Sequence, residues 1–397
     1  MGLNDTPSGE RLTIGFFGAR NAGKSSVANA VTGQIISVVS DTPGTTTDPV
    51  KKSMELLPLG PVTIIDTPGL DDVGELGEER VKVSLRVLAS VDAAVIVIDA
   101  ARGTTEFDEK LLKTVKERNL PYVCVYNKSE NVEIPDNIPD DTVYVSAKSG
   151  YNIDVLKEKI ATSFAKAENN KRLISDILPQ NALTVLVVPI DEAAPKGRLI
   201  LPQQQTIRDI LDSHGACICC QPDELTGVLS SLCKKPDVVI TDSQVFGKVS
   251  FLLPNDVKLT SFSILFARYK GDLPTLVKGA SAISQLKDGD TVLISEGCTH
   301  RRSCKDIGTV KIPALMRKFT GKELNFKFTS GGDFESDLSD VALVLHCGGC
   351  VLTEKEMRYR MRICEEYGTP IVNYGVAIAH MNGILKRSIE IFPDINM

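Results

Sequence analysis

The chain has 397 residues, of which 42% are apolar and 24% charged, with a formal net charge of −6 and no tryptophan. That balance describes a globular chain with room for about two or three domains, and it argues against a dominant nucleic-acid surface. The longest apolar runs, such as Ala93–Ile98, have the length of strands and are far too short to span a bilayer.

Met1 to Arg11 is polar and lacks the apolar centre of a leader peptide, and the chain holds ten cysteines. We therefore expect reduced thiols in a cytoplasmic protein, not a disulfide framework. Arg11–Phe17 predicts a strand that runs into Gly18-Ala-Arg-Asn-Ala-Gly-Lys-Ser25. Glycines at that spacing let backbone amides turn inward around phosphate oxygens. Lys24 then reaches the β- and γ-phosphates, and the Ser25 hydroxyl holds magnesium. Asn21, Ala22 and Gly23 belong to the same loop, and Ser26 opens a helix whose amino terminus also faces phosphate.

Ser40–Thr47 is a hydroxyl-rich, turn-prone loop suited to sensing a γ-phosphate. A strand over Val62–Ile65 ends in Asp66-Thr-Pro-Gly69, where Asp66 can reach magnesium through its water shell and the Gly69 amide can face the γ-phosphate. Asp71–Glu79 reads as an acidic switch loop. Strands over Tyr122–Tyr126 and Val143–Val145 lead into Asn127-Lys-Ser-Glu130 and Ser146-Ala-Lys148.

Taken in this order, the motifs resemble the small-GTPase family, in its translation- and tRNA-modification-type branch, over about the first 165 residues. The resemblance implies GTP and magnesium as cofactors, Lys24, Thr46 and Asp66 as catalytic residues, and Ser25 and Thr46 as magnesium contacts. It implies guanine recognition by Asn127, Lys128 and Glu130, the last standing where the family has Asp, with Ser146, Ala147 and Lys148 as the final base-contacting loop. Leu70 occupies the place of the catalytic Gln of Ras-like enzymes. By the same resemblance Asn21, with Ser40, Thr42 and Thr45, would bind potassium and so neutralise charge in the transition state.

Ala161–Arg172 reads as a polar helix, and a second α/β rhythm begins at Leu183–Val188. Strands are expected at Ala216–Cys220, Val238–Thr241 and Leu259–Phe266, with helices over Gln203–Leu211 and Glu224–Leu232. Alternation puts Cys217 and Cys219 on one face and Cys220 on the other; with His214 and Cys233 nearby, they read as small core residues in preference to a second metal site. A sheet without catalytic groups suits self-association.

The last part predicts strands at Thr291–Ser295, Asn325, Val341–Leu345 and Pro370–Ile371, and helices over Ile312–Phe319 and Glu354–Tyr367. Two of these strands run into Glu296-Gly-Cys-Thr-His300 and His346-Cys-Gly-Gly-Cys350. Ligand-type residues thus sit at strand ends, where open α/β sheets bind their ligands. Three thiolates with one weaker position suit an iron–sulfur cluster, and thiolates with histidine would also suit zinc. Glu296 is the preferred fourth ligand, because in an extended chain it points the same way as Cys298; His346 and His300 remain alternatives. Cys304 and Cys364 read as structural, and Arg301-Arg302 as a solvated pair or a screen for an anionic cluster.

A small GTPase, a connector and these two cysteine segments together resemble the family of FeFe-hydrogenase maturation GTPases over essentially the whole chain. The resemblance implies an α/β protein of three domains: a P-loop GTPase domain (1–168), a dimerisation domain (175–270) and a cluster-binding domain (271–397). It implies a 4Fe–4S cluster on Cys298, Cys347 and Cys350, and a scaffold that carries the di-iron precursor of the hydrogenase active site. Radical-SAM maturases, the apo-FeFe-hydrogenase and a second copy of the chain are the partners so implied, with no membrane and no nucleic acid. The competing readings are an RNA- or ribosome-associated GTPase with a zinc module and a cluster-based sensor.

Overall fold

Unbroken runs of Val, Ile and Ala bury both faces of a strand, and such strands pair in parallel beneath covering helices. The computed structural model describes residues 11–34, 50–56, 59–67, 75–164, 171–190, 199–297, 307–331, 334–335 and 337–395, without the side chains of 75–82. It divides after Asn170 into two units.

The first unit comprises β1 (Leu12–Phe17), α1 (Lys24–Thr32), β2 (Val50–Leu56), β3 (Gly60–Asp66), α2 (Glu75–Ser90), β4 (Ala93–Asp99), α3 (Glu106–Glu117), β5 (Tyr122–Asn127), β6 (Thr142–Tyr144) and α4 (Ile153–Phe164). Its sheet has the order β2-β3-β1-β4-β5-β6, with β2 antiparallel to β3 and the other pairs parallel. Period-two alternation sends Ile14, Phe16, Val95 and Val97 into one core, and Phe17, Ala94, Ile96 and Ile98 into another on the opposite face.

The second unit begins with β7 (Leu183–Val187), α5 (Leu201–Asp212), β8 (Ala216–Cys220), α6 (Leu225–Ser231), β9 (Val238–Thr241), α7 (Phe246–Leu252), β10 (Leu259–Ser261) and α8 (Phe262–Lys270). It continues with α9 (Leu273–Ala280), β11 (Thr291–Glu296), α10 (Ile312–Thr320), β12 (Asn325–Ser330), β13 (Leu343–His346), α11 (Glu354–Glu366), β14 (Ile371–Asn373), α12 (Tyr374–Met381) and α13 (Leu385–Ile389). Two parallel sheets result, β8-β7-β9-β10 and β12-β11-β13-β14. Each places its first strand between its second and third, so the two share one topology, a repeat with no counterpart in residue spacing. A single apolar core running from Leu173 to Phe392 serves both sheets. The start of the unit is tied to two of its helices: Arg268 of α8 donates to the Arg172 and Leu173 carbonyls and pairs with Asp176, and Lys171 pairs with Glu354 of α11.

Three expectations are corrected. Leu259–Phe266 is a strand only as far as Ser261; the Ser261 hydroxyl accepts the Ile264 N–H at 3.3 Å and caps α8, so the rest of the apolar run is helical. Glu75–Glu79 forms the first turns of α2 and not a loop; acidic residues are favoured at a helix amino terminus. The helix expected to reach Arg172 does not do so: α4 is described over Ile153–Phe164, and Lys171–Arg172 is non-helical, with the Arg172 carbonyl bound by Arg268.

At the carboxyl edge of the second sheet Arg360 is wholly buried. Its guanidinium donates to Ser295 Oγ at 3.2 Å, His346 Nε2 at 3.1 Å, the Gly331 carbonyl at 2.7 Å and Glu356 Oε1 at 3.1 Å. Thr329 Oγ1 donates to the same Ser295 Oγ at 3.0 Å, so one side chain of α11 joins the ends of β11, β12 and β13. Replacing Arg360 with Leu strands several buried acceptors and a carboxylate. We expect a loss of about 3–5 kcal/mol in urea unfolding of the iron-free chain; unchanged stability would show the network to be idle.

Candidate functional site

The phosphate loop between β1 and α1 is held by side chains from elsewhere in its unit. Gly23 sits at φ +87°, and a Cβ there would collide with the Asn127 amide. Asn127, at the end of β5, is buried; its Nδ2 donates to the Ala22 carbonyl at 3.0 Å, and its Oδ1 accepts the Ala147 N–H at 3.1 Å. Lys128 Nζ donates to the Asn21 carbonyl at 2.8 Å and pairs with Asp99 at 2.5 Å. The loops after β1, β5 and β6 are therefore one hydrogen-bonded assembly. Glu130 is exposed, and the Ser146 hydroxyl beside it holds its carboxyl below the ordinary carboxylate range. Lys148 is exposed as well.

Lys24 is buried, its ammonium donating to the carbonyls of Gly18 at 3.1 Å and Ala19 at 2.9 Å. Ser25, in the first turn of α1 beside Ser26, donates from Oγ to Asp66 Oδ2 at 2.5 Å. Asp66 is fully buried, and its Oδ1 has no hydrogen-bond partner among the described residues. An open buried carboxylate oxygen beside a hydroxyl fits the water shell of magnesium. Ser40, Thr42, Thr45, Thr46, Gly69 and Leu70 lie outside the described residues.

In the second unit, parallel pairing sets Ser295 of β11 against His346 of β13, and the Cys347 N–H donates to the Ser295 carbonyl at 2.9 Å. Both strands thus end at the same edge, at the point where the strand order reverses, and open α/β sheets bind ligands there. The Gly297 N–H donates to Cys347 Sγ at 3.1 Å, and the Gly349 N–H approaches the same sulfur at 3.4 Å. A Cβ on Gly297 would lie 2.5 Å from Leu352 Cγ, so a larger residue here would force the Leu352 side chain to shift. The next residue, Cys298, lies outside the described residues, as do His300, Arg301, Arg302 and Cys304. Among the described residues no three His, Cys, Asp or Glu side chains converge as a metal site. A thiol receiving two backbone N–H groups suits an anionic sulfur ligand.

The candidates for a fourth ligand differ. Glu296 is buried at the end of β11, accepts from Tyr374 Oη at 3.2 Å and lies tight against Gly308. His346 is fully buried with both ring nitrogens engaged: Nδ1 donates to the Cys347 carbonyl at 2.8 Å and Nε2 accepts from Arg360. Burial, and then the Arg360 charge, push its pKa down to about 3.

Cys217 and Cys219 share a face of the edge strand β8, half-buried and exposed respectively, while Cys220 enters the core. Cys364 is buried inside α11, where burial pushes its thiol up to about 12. Lys270, Arg360 and Tyr374 escaped sequence reasoning. The one available signal was a lysine ending an apolar stretch, and that pattern ordinarily marks a solvated helix end.

Three family descriptions match the chain in order. Residues 13–128 match a 50S ribosome-binding GTPase, 173–271 the hydrogen maturase F dimerisation domain, and 274–391 the hydrogen maturase F tetramerisation domain. The chain belongs to the hydrogen maturase F family. Its amino-terminal unit is a P-loop GTPase domain, and its fold is α/β as expected, with mostly parallel sheets. The family assigns residues 274–391 to tetramer formation, a role the sequence reading did not foresee. The GTPase domain is 31% identical over 153 residues to the tRNA modification GTPase MnmE of Nitrosomonas europaea, spanning 37% of this chain and 34% of that protein. It is 34% identical over 160 residues to the GTPase Era of Caldicellulosiruptor saccharolyticus, spanning 37% of this chain and 53% of that protein. The chain therefore covers between a third and about half of these relatives' length. A crystal structure of a probable GTP-binding protein engB aligns over 39% of this chain and 99% of its own, at 23% identity and a TM-score of 0.31.

Asn127→Ala removes both bonds that tie the phosphate loop to the loop after β6. At about 1 kcal/mol each, GDP should bind roughly thirtyfold more weakly by calorimetry. An unchanged Kd would mean that the loops are held by other contacts.

Proposed function

We propose that this chain is a GTP-hydrolysing scaffold that holds a 4Fe–4S cluster on Cys298, Cys347 and Cys350, and carries the di-iron precursor of the FeFe-hydrogenase active site to the apo-enzyme. One observation carries the cluster reading: the Gly297 amide bonds the sulfur of Cys347, so the backbone leading directly into Cys298 lies against the Cys347–Cys350 turn. Glu296 is the proposed fourth ligand. Its carboxylate ends the same strand, whereas His346 has both nitrogens committed to other partners. When bound, the cluster supplies an iron whose oxygen ligand is easily displaced by an incoming group. The protein's own part is to hold the sulfurs in register and to keep the sheet edge rigid through Arg360.

At the other site Lys24, Ser25 and Asp66 are the proposed groups acting on a magnesium-bound triphosphate, with Thr46 joining the metal. Asn127, Lys128, Glu130 and the Ser146–Lys148 loop would hold the guanine. With Leu70 in place of a glutamine, hydrolysis depends on charge neutralisation, which we assign to potassium held by Asn21, Ser40, Thr42 and Thr45. The proposed domains are 1–168, 175–270 and 271–397; homo-oligomers, apo-hydrogenase and radical-SAM maturases are the proposed partners, in the cytoplasm.

Anaerobic reconstitution of the full chain with iron and sulfide tests this reading. We expect a brown protein with a reducible cluster, which Cys298→Ser and Cys347→Ser each abolish while GTP hydrolysis persists and runs faster in potassium than in sodium. A colourless, zinc-binding chain, or iron uptake indifferent to both substitutions, would overturn it.

A further inference from the structure

Lys270 ends α8 with only 2% of its surface exposed. Its ammonium donates to the carbonyls of Leu352 at 2.7 Å, Cys350 at 2.8 Å and Gly349 at 3.4 Å, and lies 5.5 Å from the centre of the Phe266 ring. An ammonium is expensive to withdraw from water and is tolerated only where its N–H groups find acceptors. Here three acceptors come from four consecutive residues of one turn, so opening the turn would strand the charge. The same helix touches the turn and the neighbouring strand end through Ser263: its Oγ would lie 3.6 Å from a Cβ on Gly348 and accepts the Gly375 N–H at 3.1 Å.

The consequence for the sulfurs follows from peptide geometry. Within a trans peptide plane the N–H points opposite to the C=O. Drawing the Gly349 and Cys350 carbonyls toward Lys270 therefore turns the N–H groups of Cys350 and Val351 the other way, away from the ammonium. Oriented amides of this kind form a concavity that favours negative charge. Lys270 falls within the residues matched by the dimerisation domain, and the turn it holds falls within those matched by the tetramerisation domain.

We propose that Lys270 is a positioning residue of the cluster site: it holds the peptide planes of residues 349–351 with their amides turned away from its ammonium, and together with those amides it favours the more negative, reduced state of a bound cluster. This rests on the reading that Cys347 and Cys350 hold a 4Fe–4S cluster. One electron from a reductant such as dithionite takes the cluster from its 2+ to its 1+ state, adding one negative charge next to these dipoles. Their effect is to raise the reduction potential, as hydrogen bonds to cluster sulfurs and nearby charge do generally.

The test is an EPR-monitored dithionite titration of the full chain, reconstituted anaerobically, as wild type and as Lys270→Gln, Lys270→Met and Lys270→Arg. The neutral variants should shift the redox equilibrium about tenfold toward the oxidised form, roughly 59 mV to more negative potential for one electron. Lys270→Arg, which keeps the charge and the donors, should restore most of that shift. Melting curves of the iron-free chains identify which neutral variant folds, and either one suffices. A folded neutral variant with the wild-type potential overturns the proposal, as does one that merely takes up less iron while its remaining cluster keeps that potential. A wild-type chain that takes up no cluster at all instead refutes the reading beneath it.

Discussion

The contact on which the rest depends is the parallel pairing of β11 with β13. Parallel strands in adjacent positions end at one edge of a sheet, and the bond from the Cys347 N–H to the Ser295 carbonyl fixes their register to the last residue. A slip of one residue would carry His346 out of the core and remove the Gly297 amide from the sulfur of Cys347. Two buried cations guard against such a slip. Arg360 gathers Ser295, His346 and Gly331 beneath the strand ends, and Lys270 gathers the carbonyls of the cysteine turn. Each is a charge whose burial is tolerable only while the surrounding backbone keeps its shape, and this makes the geometry stiff.

The same logic operates in the GTPase domain with neutral groups. Asn127 spans the phosphate loop and the loop after β6 with one amide, using its donor on Ala22 and its acceptor on Ala147. Lys128 then anchors the phosphate loop from outside. In both units long-range side chains from rigid elements position the loops beside the candidate sites.

Most strands were legible because Val, Ile and Ala in unbroken runs bury both faces, as Ala93–Ile98 and Val238–Thr241 do. Leu259–Phe266 misled because a short apolar run has no period that separates strand from helix, and the deciding feature was a single serine acting as a cap. The nucleotide loops were readable because glycine spacing there is dictated by phosphate. The cysteine turn was readable as a candidate site from its residue types, but its supports were not. Lys270 lies 80 residues before Cys350, and Arg360 reaches Ser295 across 65, so neither contact leaves a local pattern. The matching topology of the two carboxyl-terminal sheets was invisible for a similar reason, since strand order is a property of pairing and not of spacing.

The proposal that Cys298, Cys347 and Cys350 hold one cluster requires all three thiols to come within reach of one another. Treating the iron-free, reduced chain with dibromobimane, which joins only thiols a few ångströms apart, and mapping the fluorescent peptides by mass spectrometry tests it directly. The account predicts a cross-link between the peptide containing Cys298 and the one containing Cys347 and Cys350. Labelling confined to Cys347 with Cys350, and none to Cys298, would contradict it.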